Sequence, residues 1–432
     1  MASTYLKRTL SGTPSTYTFS AWIKLGKIID GNGQYQSIFS NGTQQLLGLF
    51  SGSDATYHNA LYHYNGSSSW YTNNLLKDPC SWYHVLLKVS SGTATTYING
   101  VQTSYATSAS LGALVTTTDK LTIGCYADNT DSFFTGSMSH VHFCDGTAYN
   151  PTEFGETDAT TGEWKIKTSV SVSYGTDGFF ILKDGNSVTD QSGNGNNFTV
   201  GGGTLTQTAD CPSNVFATIN SLDNLYIGGT LSNGNNKIVT GVSQEPVYIN
   251  STLGASSGKY YCEVKNLSPQ GRGYTIGISG RFCSSSNDSL GSDLDGFGYI
   301  QTGAYRNNNT ETSYGNSYTE NDIIGIALDL DNNKLYFSKN GTWQNSGDPT
   351  SGATGTGAIS IGTPSTGFYF ISLGDNSGNT TTFETNFGNG YFGTTAVSSN
   401  SGNGYSATGS LGIFQYQPPT GYTALSTKGL NL

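Results

Sequence analysis

The feature that most constrains this chain is a recurrent pattern in which short runs of alternating apolar and polar residues end at glycine or at an Asn-Gly pair. In TYTFSAWIKLG, the residues Tyr17, Phe19 and Ile23 recur at every second position, which places them on one face of a β-strand. Both TTYINGVQ and KLYFSKNG run into Asn-Gly, a pair that favours a two-residue hairpin turn because both of its positions adopt positive φ. The pattern predicts many short strands joined by tight turns.

The composition indicates the same class of fold. Glycine accounts for 58 of the 432 residues, nearly twice the usual share of about 7%. Tyrosine (28) and phenylalanine (20) are plentiful and favour strands, whereas runs of the helix formers Ala, Glu, Lys and Leu are scarce. We therefore predict an all-β protein, and the chain is long enough for two or three domains.

The charge of the chain excludes some classes of partner. Only 11% of the residues are charged and the formal net charge is −10, whereas a protein that follows nucleic-acid phosphates needs basic patches. The N-terminal residues MASTYLKRTL contain no apolar core of signal-peptide length. No run reaches the roughly 18 apolar residues of a membrane-spanning helix. We expect no nucleic-acid partner, no membrane insertion and no export through a signal peptide.

Six cysteines are widely spaced and form no Cys-x-x-Cys motif, so their spacing indicates neither a zinc knuckle nor a redox-active pair. Disulfides persist in oxidising compartments, and a chain without an export signal is expected to keep its thiols reduced. The six are Cys80, Cys125, Cys144, Cys211, Cys262 and Cys283.

The acidic stretch DLDNNKLYFSKNG, residues 329–341, begins like a calcium loop with Asp-x-Asp-x-Asn. An EF-hand loop also needs glycine at its sixth position and glutamate at its twelfth, where this sequence has Lys334 and Asn340. Apolar residues alternate before the stretch and resume at Leu335, which is typical of a strand, a turn and a second strand. We predict a hairpin here and no metal ion.

The segment SHVHFC is the other candidate metal site. His140, His142 and Cys144 are two residues apart, so on a regular strand they would share one face and could begin a zinc site. The sequence offers no evident fourth ligand. The alternative is a strand whose Val141 and Phe143 face the core while its polar face is solvated, and we expect that arrangement.

No catalytic constellation stands out in the sequence. Some jelly-roll glycosidases carry Glu-x-Asp-x-x-Glu on one strand, which sets two carboxylates around a sugar bond. In ETDATTGE, Glu156 and Asp158 fit that spacing, but Thr161 occupies the position of the second glutamate. The chain also lacks a Gly-x-Ser-x-Gly elbow and has only five histidines. We predict a protein without catalytic residues, cofactor or enzymatic activity.

Aromatic residues near polar stretches are the remaining candidates for a binding site, because exposed aromatic faces stack on sugar rings. Trp70 and Tyr71 lie between Ser and Asn clusters, and Trp343 follows a hairpin Asn-Gly. With Tyr305, they are the predicted ligand contacts, placed on loops at the ends of the sandwiches. The alternative is that these rings pack beneath the sheet edges.

Two parts of the chain resemble known domain families. TFSAWIK, SIFS, WYHVLLKV, TYINGVQ and FFTGSMSHVHF resemble a laminin G-like, concanavalin A-type jelly roll over residues 1–155. SYTENDIIGIALDLDNNKLYFSKNG and its neighbours resemble a SPRY domain, also a concanavalin-like sandwich, over residues 206–395. The resemblance implies two jelly-roll sandwiches in tandem. Residues 156–205 form a connecting β segment that could belong to either sandwich, and residues 396–432 form a Gly/Ser-rich tail.

The order of these segments resembles virion proteins of tailed bacteriophages, and DGTAYNPTEFGE and PSNVFATIN are the most specific phrases. The resemblance implies a structural component on the exterior of the particle, such as a fibre, knob or decoration, that contributes to attachment to a host surface or glycan. Such a protein would be made in the host cytoplasm. Its expected partners are other virion proteins and copies of itself, with a trimer favoured. The alternatives are a virion protein without host binding and a secreted bacterial carbohydrate-binding adhesin.

Overall fold

The computed structural model describes residues 4–31, 33–42, 44–105, 110–114, 121–126, 132–167, 169–183, 187–241, 246–376, 379–398 and 405–431. The chain divides into two compact units, Met1–Gln207 and Thr208–Leu432. Each unit has its own pair of large sheets and its own core.

The described part of the first unit contains fifteen strands and the 3-10 turns Ala55–Tyr57 and Pro151–Glu153. The strands are β1 (Tyr5–Arg8), β2 (Tyr17–Leu25), β3 (Gln36–Asn41), β4 (Gln44–Leu49), β5 (Ala60–Tyr64), β6 (Ser69–Leu75), β7 (Trp82–Ser90), β8 (Thr93–Ile98), β9 (Val101–Gln102), β10 (Leu121–Ile123), β11 (Gly136–Asp145), β12 (Gly155–Thr157), β13 (Trp164–Ile166), β14 (Phe179–Ile181) and β15 (Thr199–Gly202).

The first unit is a sandwich of a seven-stranded sheet, β15-β1-β10-β3-β4-β5-β6, and a six-stranded sheet, β14-β11-β2-β7-β8-β9. The core lies between them, and β2 supplies Phe19 and Ile23 from one face as its period-two pattern predicts. Phe19 stacks on Phe39 of the opposite sheet with ring centroids 4.2 Å apart. At the turn between β8 and β9, Asn99 and Gly100 have φ values of 49° and 79°, so the predicted hairpin is confirmed.

The outer face of the six-stranded sheet is covered by residues 147–167 and 169–175, which we call the outer layer. Its Phe154 packs on Leu86 and Cys144, which point away from the core of the sandwich. Every residue of β2 is consequently buried, including the polar ones that alternate with its core residues. This layer removes the solvated face that an ordinary sandwich sheet would have.

Residues 156–205, which the sequence alone leaves open between the two domains, contribute strands to the first unit. In β14, Phe179 and Ile181 pair with Phe143 and Val141 of β11. β15 pairs with β1 at the edge of the seven-stranded sheet. Both strands lie at sheet edges, so the first sandwich extends to the end of β15.

The described part of the second unit contains nineteen strands and the 3-10 turns Ser221–Asp223, Gln344–Ser346, Gly352–Thr354, Thr408–Ser410 and Gly429–Asn431. The strands are β16 (Thr230–Ser232), β17 (Lys237–Val239), β18 (Val247–Ala255), β19 (Lys259–Asn266), β20 (Tyr274–Ser279), β21 (Gly296–Ile300), β22 (Ala304–Asn307), β23 (Thr310–Ser313), β24 (Ile323–Asp329), β25 (Lys334–Lys339), β26 (Thr342–Trp343), β27 (Ile359–Ser360), β28 (Tyr369–Asp375), β29 (Thr382–Asn386), β30 (Tyr391–Phe392), β31 (Thr395–Ala396), β32 (Tyr405–Ser406), β33 (Ile413–Phe414) and β34 (Thr423–Ala424).

The second unit is also a sandwich. One sheet has the order β16-β17-β29-β19-β24-β25-β26, with β27 beside β25 and β34 parallel to β19, and the other has the order β18-β28-β20-β21-β22-β23. Alternate residues of both sheets fill the core between them. There, Tyr299 stacks on Phe337 with ring centroids 5.1 Å apart.

The acidic stretch at residues 329–341 is the turn and second strand of the β24–β25 hairpin, as the alternation predicts. The carboxylate of Asp329 is fully buried, receives hydrogen bonds from Asn332 and forms an ion pair of 3.0 Å with Lys259. Asn333 takes the positive φ that the turn requires, at 56°. The acidic residues therefore serve the turn and its neighbouring strand.

The C-terminal segment, residues 405–431, lies against the outer face of the larger sheet. Phe414 and Tyr422 are fully buried there beside Tyr261 and Tyr336, whose side chains point away from the main core. β34 adds a parallel strand next to β19. The tail is thus part of the second unit, and it covers one sheet as the outer layer covers a sheet of the first unit.

The buried carboxyl group of Glu263 holds the C-terminal segment in place through hydrogen bonds. The carboxylate oxygens of Glu263 accept hydrogen bonds from the backbone N–H groups of Gln415 (2.9 Å) and Tyr416 (2.8 Å). They also accept from the Tyr261 hydroxyl (3.1 Å) and the Asn386 amide (3.2 Å). Burial raises the pKa of Glu263 to about 7, although these hydrogen bonds oppose the shift.

The all-β fold with two sandwiches is confirmed. Helical structure in the described residues is limited to seven 3-10 turns of three residues each. The strands at residues 81–102 and 321–341 belong to different sheets. Within the described ranges, no helix has both the length and the apolar character needed to cross a membrane.

Replacing Glu263 with glutamine should loosen the C-terminal segment, because an amide NH2 cannot accept a hydrogen bond, whereas both oxygens of a carboxyl group, protonated or ionised, keep acceptor capacity. Buried N–H donors would then face the amide NH2, and each unsatisfied buried donor costs about 1–3 kcal/mol. We expect the free energy of opening of the segment to fall by about 2–4 kcal/mol. Hydrogen exchange of the peptides that contain residues 413–425 measures that free energy.

The same measurement has a pH signature. The folded protein holds a proton on Glu263 up to about pH 7, whereas the unfolded chain releases it near the ordinary value of 4.5. Stability from this group is therefore complete below pH 4.5 and is lost as the pH rises towards 7. Glu263→Gln should abolish this dependence. The control is Glu311→Gln on the exposed strand β23, and an equal effect in the control would contradict the assignment.

Candidate functional site

Five aromatic rings lie together on the outward side of the seven-stranded sheet, and we call Tyr35, Phe50, Tyr57, Tyr62 and Tyr71 the aromatic cluster. Tyr71 is 4.3 Å from Tyr57 and 4.7 Å from Phe50, measured between ring centroids. Tyr62 is 5.2 Å from Tyr35 and 5.6 Å from Phe50. These separations are those of interacting aromatic pairs. The four tyrosines are partly exposed and Phe50 is buried among them.

The pairing of β5 with β6 decides which rings join this cluster. Tyr62 lies directly opposite Tyr71, and their neighbours His63 and Trp70 form the next pair. Successive side chains of a strand point to opposite faces. His63 and Trp70 therefore point inwards, where Trp70 packs against the core and His63 is fully buried.

A polar contact caps the turn in the loop between β4 and β5, which supplies Phe50 and Tyr57. The Asp54 carboxylate accepts a hydrogen bond of 3.0 Å from the N–H of Thr56 and caps the 3-10 turn that ends at Tyr57. A side chain on Gly52 would collide with the Phe50 ring. Glycine is required there because the ring packs directly on its α-carbon. The cluster is thus preorganised by the chain around it.

The chemistry of the cluster is that of neutral rings with hydroxyl rims. Burial raises the pKa of Tyr62 to about 12 and also raises that of Tyr35. Both hydroxyls therefore stay protonated at neutral pH and can donate as well as accept hydrogen bonds. A sugar presents C–H faces together with hydroxyl groups. The cluster offers a matching surface, with aromatic faces for stacking and hydroxyls at its margin.

The other predicted contacts lie elsewhere. Trp70 is on the opposite face of β6 from Tyr71. Tyr305, in β22, is partly buried against the second core and meets Tyr314 edge-on at 6.0 Å. Trp343, at the end of β26, packs against the buried residues under the C-terminal segment. Of the four predicted residues, Tyr71 alone belongs to the aromatic cluster.

Sequence reasoning did not identify the rings that surround Tyr71. Tyr35 comes from the connection between β2 and β3, whereas Phe50 and Tyr57 come from the connection between β4 and β5, and their convergence depends on how β3, β4 and β5 pair. A usable signal was the density of tyrosine between residues 35 and 71, which is high for a segment with few charges.

A buried Ser–His–Trp chain beneath the outer layer has the residue types of a catalytic pair. His84 Nε2 lies 2.8 Å from Ser20 Oγ, and the Trp164 indole N–H donates to His84 Nδ1 at 3.0 Å. Because an indole can only donate, Nδ1 carries no proton and Nε2 does. His84 therefore donates to Ser20 and is not positioned to remove its proton. The chain anchors Trp164 of the outer layer to the sheet.

The carboxylates with glycosidase-like spacing lie on an exposed hairpin. Lys165 forms ion pairs with Glu156 at 3.4 Å and with Asp158 at 3.1 Å. Hydrogen bonds from the N–H groups of Thr161 and Thr160, with Lys165, lower the pKa of Asp158 to about 2. A general acid for glycoside cleavage needs a raised pKa, so Asp158 is unsuited to that role.

The side chains of His140, His142 and Cys144 do not come together as a set of metal ligands. A bulge shifts the register of β11 between Ser139 and His142, and His140 takes a positive φ of 49°. His142 bonds to the Tyr174 hydroxyl at 2.9 Å, and burial raises the pKa of Cys144 to about 12. The prediction that the polar face of this strand is solvated was wrong, because the outer layer buries that face of β11. Among the described residues, no group of three His, Cys, Asp or Glu side chains could hold a metal.

All six cysteines are free. Cys125, Cys144, Cys262 and Cys283 are buried, and Cys80 and Cys211 are partly exposed. The reduced state of these thiols, which is expected from the absence of an export signal, stays a prediction.

Three buried histidines should make the first unit sensitive to acid. Burial lowers the pKa of His63 to about 4 and the pKa of His84 to about 3. It also lowers the pKa of His142 well below the ordinary value of 6.5. The unfolded chain binds protons below pH 6.5 while the folded unit does not, so stability is lost as the pH falls from 6.5. Each histidine contributes a slope of about 1.4 kcal/mol per pH unit.

Urea unfolding followed by tryptophan fluorescence tests this, because four of the five tryptophans, Trp22, Trp70, Trp82 and Trp164, lie in the first unit. Between pH 6 and pH 5, His84→Gln should remove about one third of the slope that these histidines add. The control is His140→Gln, at a partly exposed position. A slope that does not change in His84→Gln would contradict the assignment.

Comparisons with known proteins match both units. Residues 3–153 match the family model described as Concanavalin A-like lectin/glucanases superfamily, and residues 259–361 match the model of the SPRY domain. The chain is 42% identical over 91 residues to the ATP-dependent RNA helicase DDX1 of Xenopus laevis. The aligned part is 21% of this chain and 12% of the helicase, so the chain spans a small fraction of that relative.

Solved structures resemble parts of the chain. The SPRY domain of human HERC1 is 18% identical with a TM-score of 0.29, and the match covers 36% of this chain and 91% of that one. Stonustoxin is 20% identical with a TM-score of 0.30, covering 42% of this chain and 29% of that one. A Bacteroides ovatus protein provisionally described as carbohydrate binding is 18% identical with a TM-score of 0.33, and the match covers 46% of this chain and 56% of that one.

The two family matches fall in separate units, and each unit is an antiparallel sandwich with its own core. Their order along the chain is the one that the motif resemblances predict. The protein is therefore an all-β chain in which a concanavalin A-like, laminin G-like sandwich is followed by a SPRY sandwich.

Proposed function

We propose that this chain is a non-catalytic attachment protein that binds surface carbohydrate through the aromatic cluster of its first unit. The observation that carries the proposal is the group of five rings on the outward side of the seven-stranded sheet. Aromatic rings stack on a sugar with little loss of side-chain entropy, because each has only two rotatable angles. The match of residues 3–153 to a superfamily of lectins and glucanases supports a carbohydrate ligand.

The binding role is more consistent with the site chemistry than hydrolysis is. Ser20 accepts a hydrogen bond from His84, and Lys165 forms ion pairs with both Glu156 and Asp158. Ser20 therefore has no base beside it to activate a nucleophile, and the lowered pKa of Asp158 does not suit a general acid. The proposal therefore has no catalytic residue and no cofactor.

The proposed setting is the exterior of a tailed-bacteriophage particle, with synthesis in the host cytoplasm. The support is the resemblance of the motif order to phage virion proteins, together with a low fraction of charged residues. A single stacked site binds weakly, so useful attachment needs many copies on one particle. That requirement fits a repeated exterior fibre, knob or decoration.

The decisive experiment is competition for host adsorption. Purified protein is added to host cells before the phage, and the fraction of phage adsorbed is measured. Tyr71→Ala should weaken the protein's inhibition by about tenfold, since loss of one stacked ring removes about 1–2 kcal/mol. Tyr71→Phe keeps the ring, and it should lose less than about threefold.

Thermal denaturation of both variants shows whether the first unit remains folded. If saturating protein leaves adsorption unchanged and a glycan array shows no binding, host attachment is excluded. A structural virion protein would then remain. If Phe and Ala at position 71 weaken inhibition equally while both stay folded, stacking is not the mode of binding.

We also propose that the protein assembles with itself, with a trimer favoured, or with other virion proteins. β23 lies at the end of its sheet, and all four of its residues are exposed. An exposed strand edge is a template for pairing with another chain. Light scattering on the purified protein should give the mass of three chains. A chain that stays monomeric at high concentration and makes no contact in the particle would contradict this proposal.

A further inference from the structure

A second surface with the chemistry of a binding site lies in the second unit, between the turn that follows β26 and the C-terminal segment. It is an open depression of about 470 Å³, and we call it the Trp343 groove. Its lining includes Trp343, Asp348, Pro349, Gln417, Pro418 and Thr420.

The ring of Trp343 is held in place from below. It meets the buried Tyr261 edge-on, with ring centroids 6.3 Å apart. The next residue, Gln344, is buried, accepts a hydrogen bond of 2.8 Å from the N–H of Asn316 and donates one of 2.8 Å to the carbonyl of Thr342. Trp343 is therefore a fixed ring that remains partly exposed, which suits a stacking contact.

The backbone beside Trp343 is strained. Asn345 and Ser346 have φ values of 53° and 52°, two consecutive non-glycine residues in the left-handed region. Non-glycine residues in this region persist where the surrounding structure enforces them. The strained pair brings the chain from Trp343 round to Asp348, so that the ring and the carboxylate line one groove.

Both walls of the groove are tied to buried groups. The Tyr422 hydroxyl donates to the carbonyl of Pro349 at 3.0 Å, which joins the C-terminal segment to the opposite wall. Asp348 Oδ1 accepts hydrogen bonds from the N–H and the hydroxyl of Thr350 at 2.9 and 2.6 Å. Its Oδ2 accepts none from the described residues, so it is available to a ligand.

We propose that the Trp343 groove binds a neutral oligosaccharide, with one sugar ring on Trp343 and its hydroxyl groups on Asp348 and Gln417. An aromatic face, a carboxylate oxygen and an amide are the groups that a polyhydroxylated ring can use together. Among the described residues, no lysine or arginine lines the groove, and Asp348 would repel an anionic sugar. The site is separate from the aromatic cluster, and it would exist even if the protein attached to no host.

A proline-rich peptide is the competing occupant, because such peptides also dock on aromatic grooves. Those grooves are lined by several aromatic rings that receive successive prolines. Here, one ring faces a wall built from the chain's own Pro418 and Pro419. The polar groups on both walls favour the sugar.

The test uses the full chain labelled with ¹⁵N, whose five tryptophans give five indole N–H signals. The signal absent from the Trp343→Phe variant identifies Trp343. Cellohexaose, maltohexaose and N-acetylchitohexaose are titrated separately, with a proline decapeptide and a hyaluronan hexasaccharide as comparisons. At least one neutral hexasaccharide should shift the Trp343 signal with a Kd on the order of 1 mM. The four other indole signals identify any binding in the first unit.

Two variants separate this site from the aromatic cluster. Asp348→Asn keeps the oxygen that Thr350 needs but removes the charge, and it should weaken saccharide binding by about fivefold. Tyr71→Ala should leave the Trp343 titration unchanged, whatever it does to host adsorption. The proposal is overturned if no neutral hexasaccharide shifts the Trp343 signal at about 10 mM. It is also overturned if the peptide or hyaluronan binds more tightly, or if Asp348→Asn has no effect.

Discussion

In the second unit, the packing of the C-terminal segment depends on the hydrogen bonds that the buried carboxyl group of Glu263 receives. Glu263 lies on the outer face of a central strand, and burying a carboxylate is costly unless donors surround it. Two of its four donors are backbone N–H groups of Gln415 and Tyr416, so the course of the C-terminal segment follows from that need. The packing of Phe414 and Tyr422, and with it one wall of the Trp343 groove, is fixed by the same contact.

The first unit solves the equivalent problem with neutral imidazoles. His84 and His142 lie on the outer face of the six-stranded sheet, where the outer layer excludes water. A neutral imidazole can accept at one nitrogen and donate at the other, so each ring joins a strand to the layer above without burying a charge. His84 does this between Ser20 and Trp164. Both units therefore bury polar side chains on faces that a strand pattern would leave in water.

The strands with strong apolar–polar alternation were predictable from the sequence. The outer layer and the C-terminal segment, which cover the outer faces of two sheets, were not. QSIFSN coincides with β3, and the β24–β25 hairpin follows its Asn-rich turn, because both features depend on local periodicity and turn chemistry. The sequence pattern of β6 indicates a loop, because an exposed edge strand that is rich in Asn and Ser has the composition of a loop. Whether Trp70 or Tyr71 faces outwards depends on the pairing register. The aromatic cluster depends further on the convergence of distant connections, which no local pattern encodes.

The strand order has a consequence for dissecting the protein. The SPRY match ends at residue 361, yet β28 lies between β18 and β20, and β29 lies between β17 and β19. A fragment cut at that limit would lose interior strands from both sheets and leave their neighbours unpaired. Cutting the first unit at residue 153 would remove only edge strands, but it would also strip most of the outer layer. The smallest fragments that keep every strand paired are the two whole units, with the boundary after residue 207.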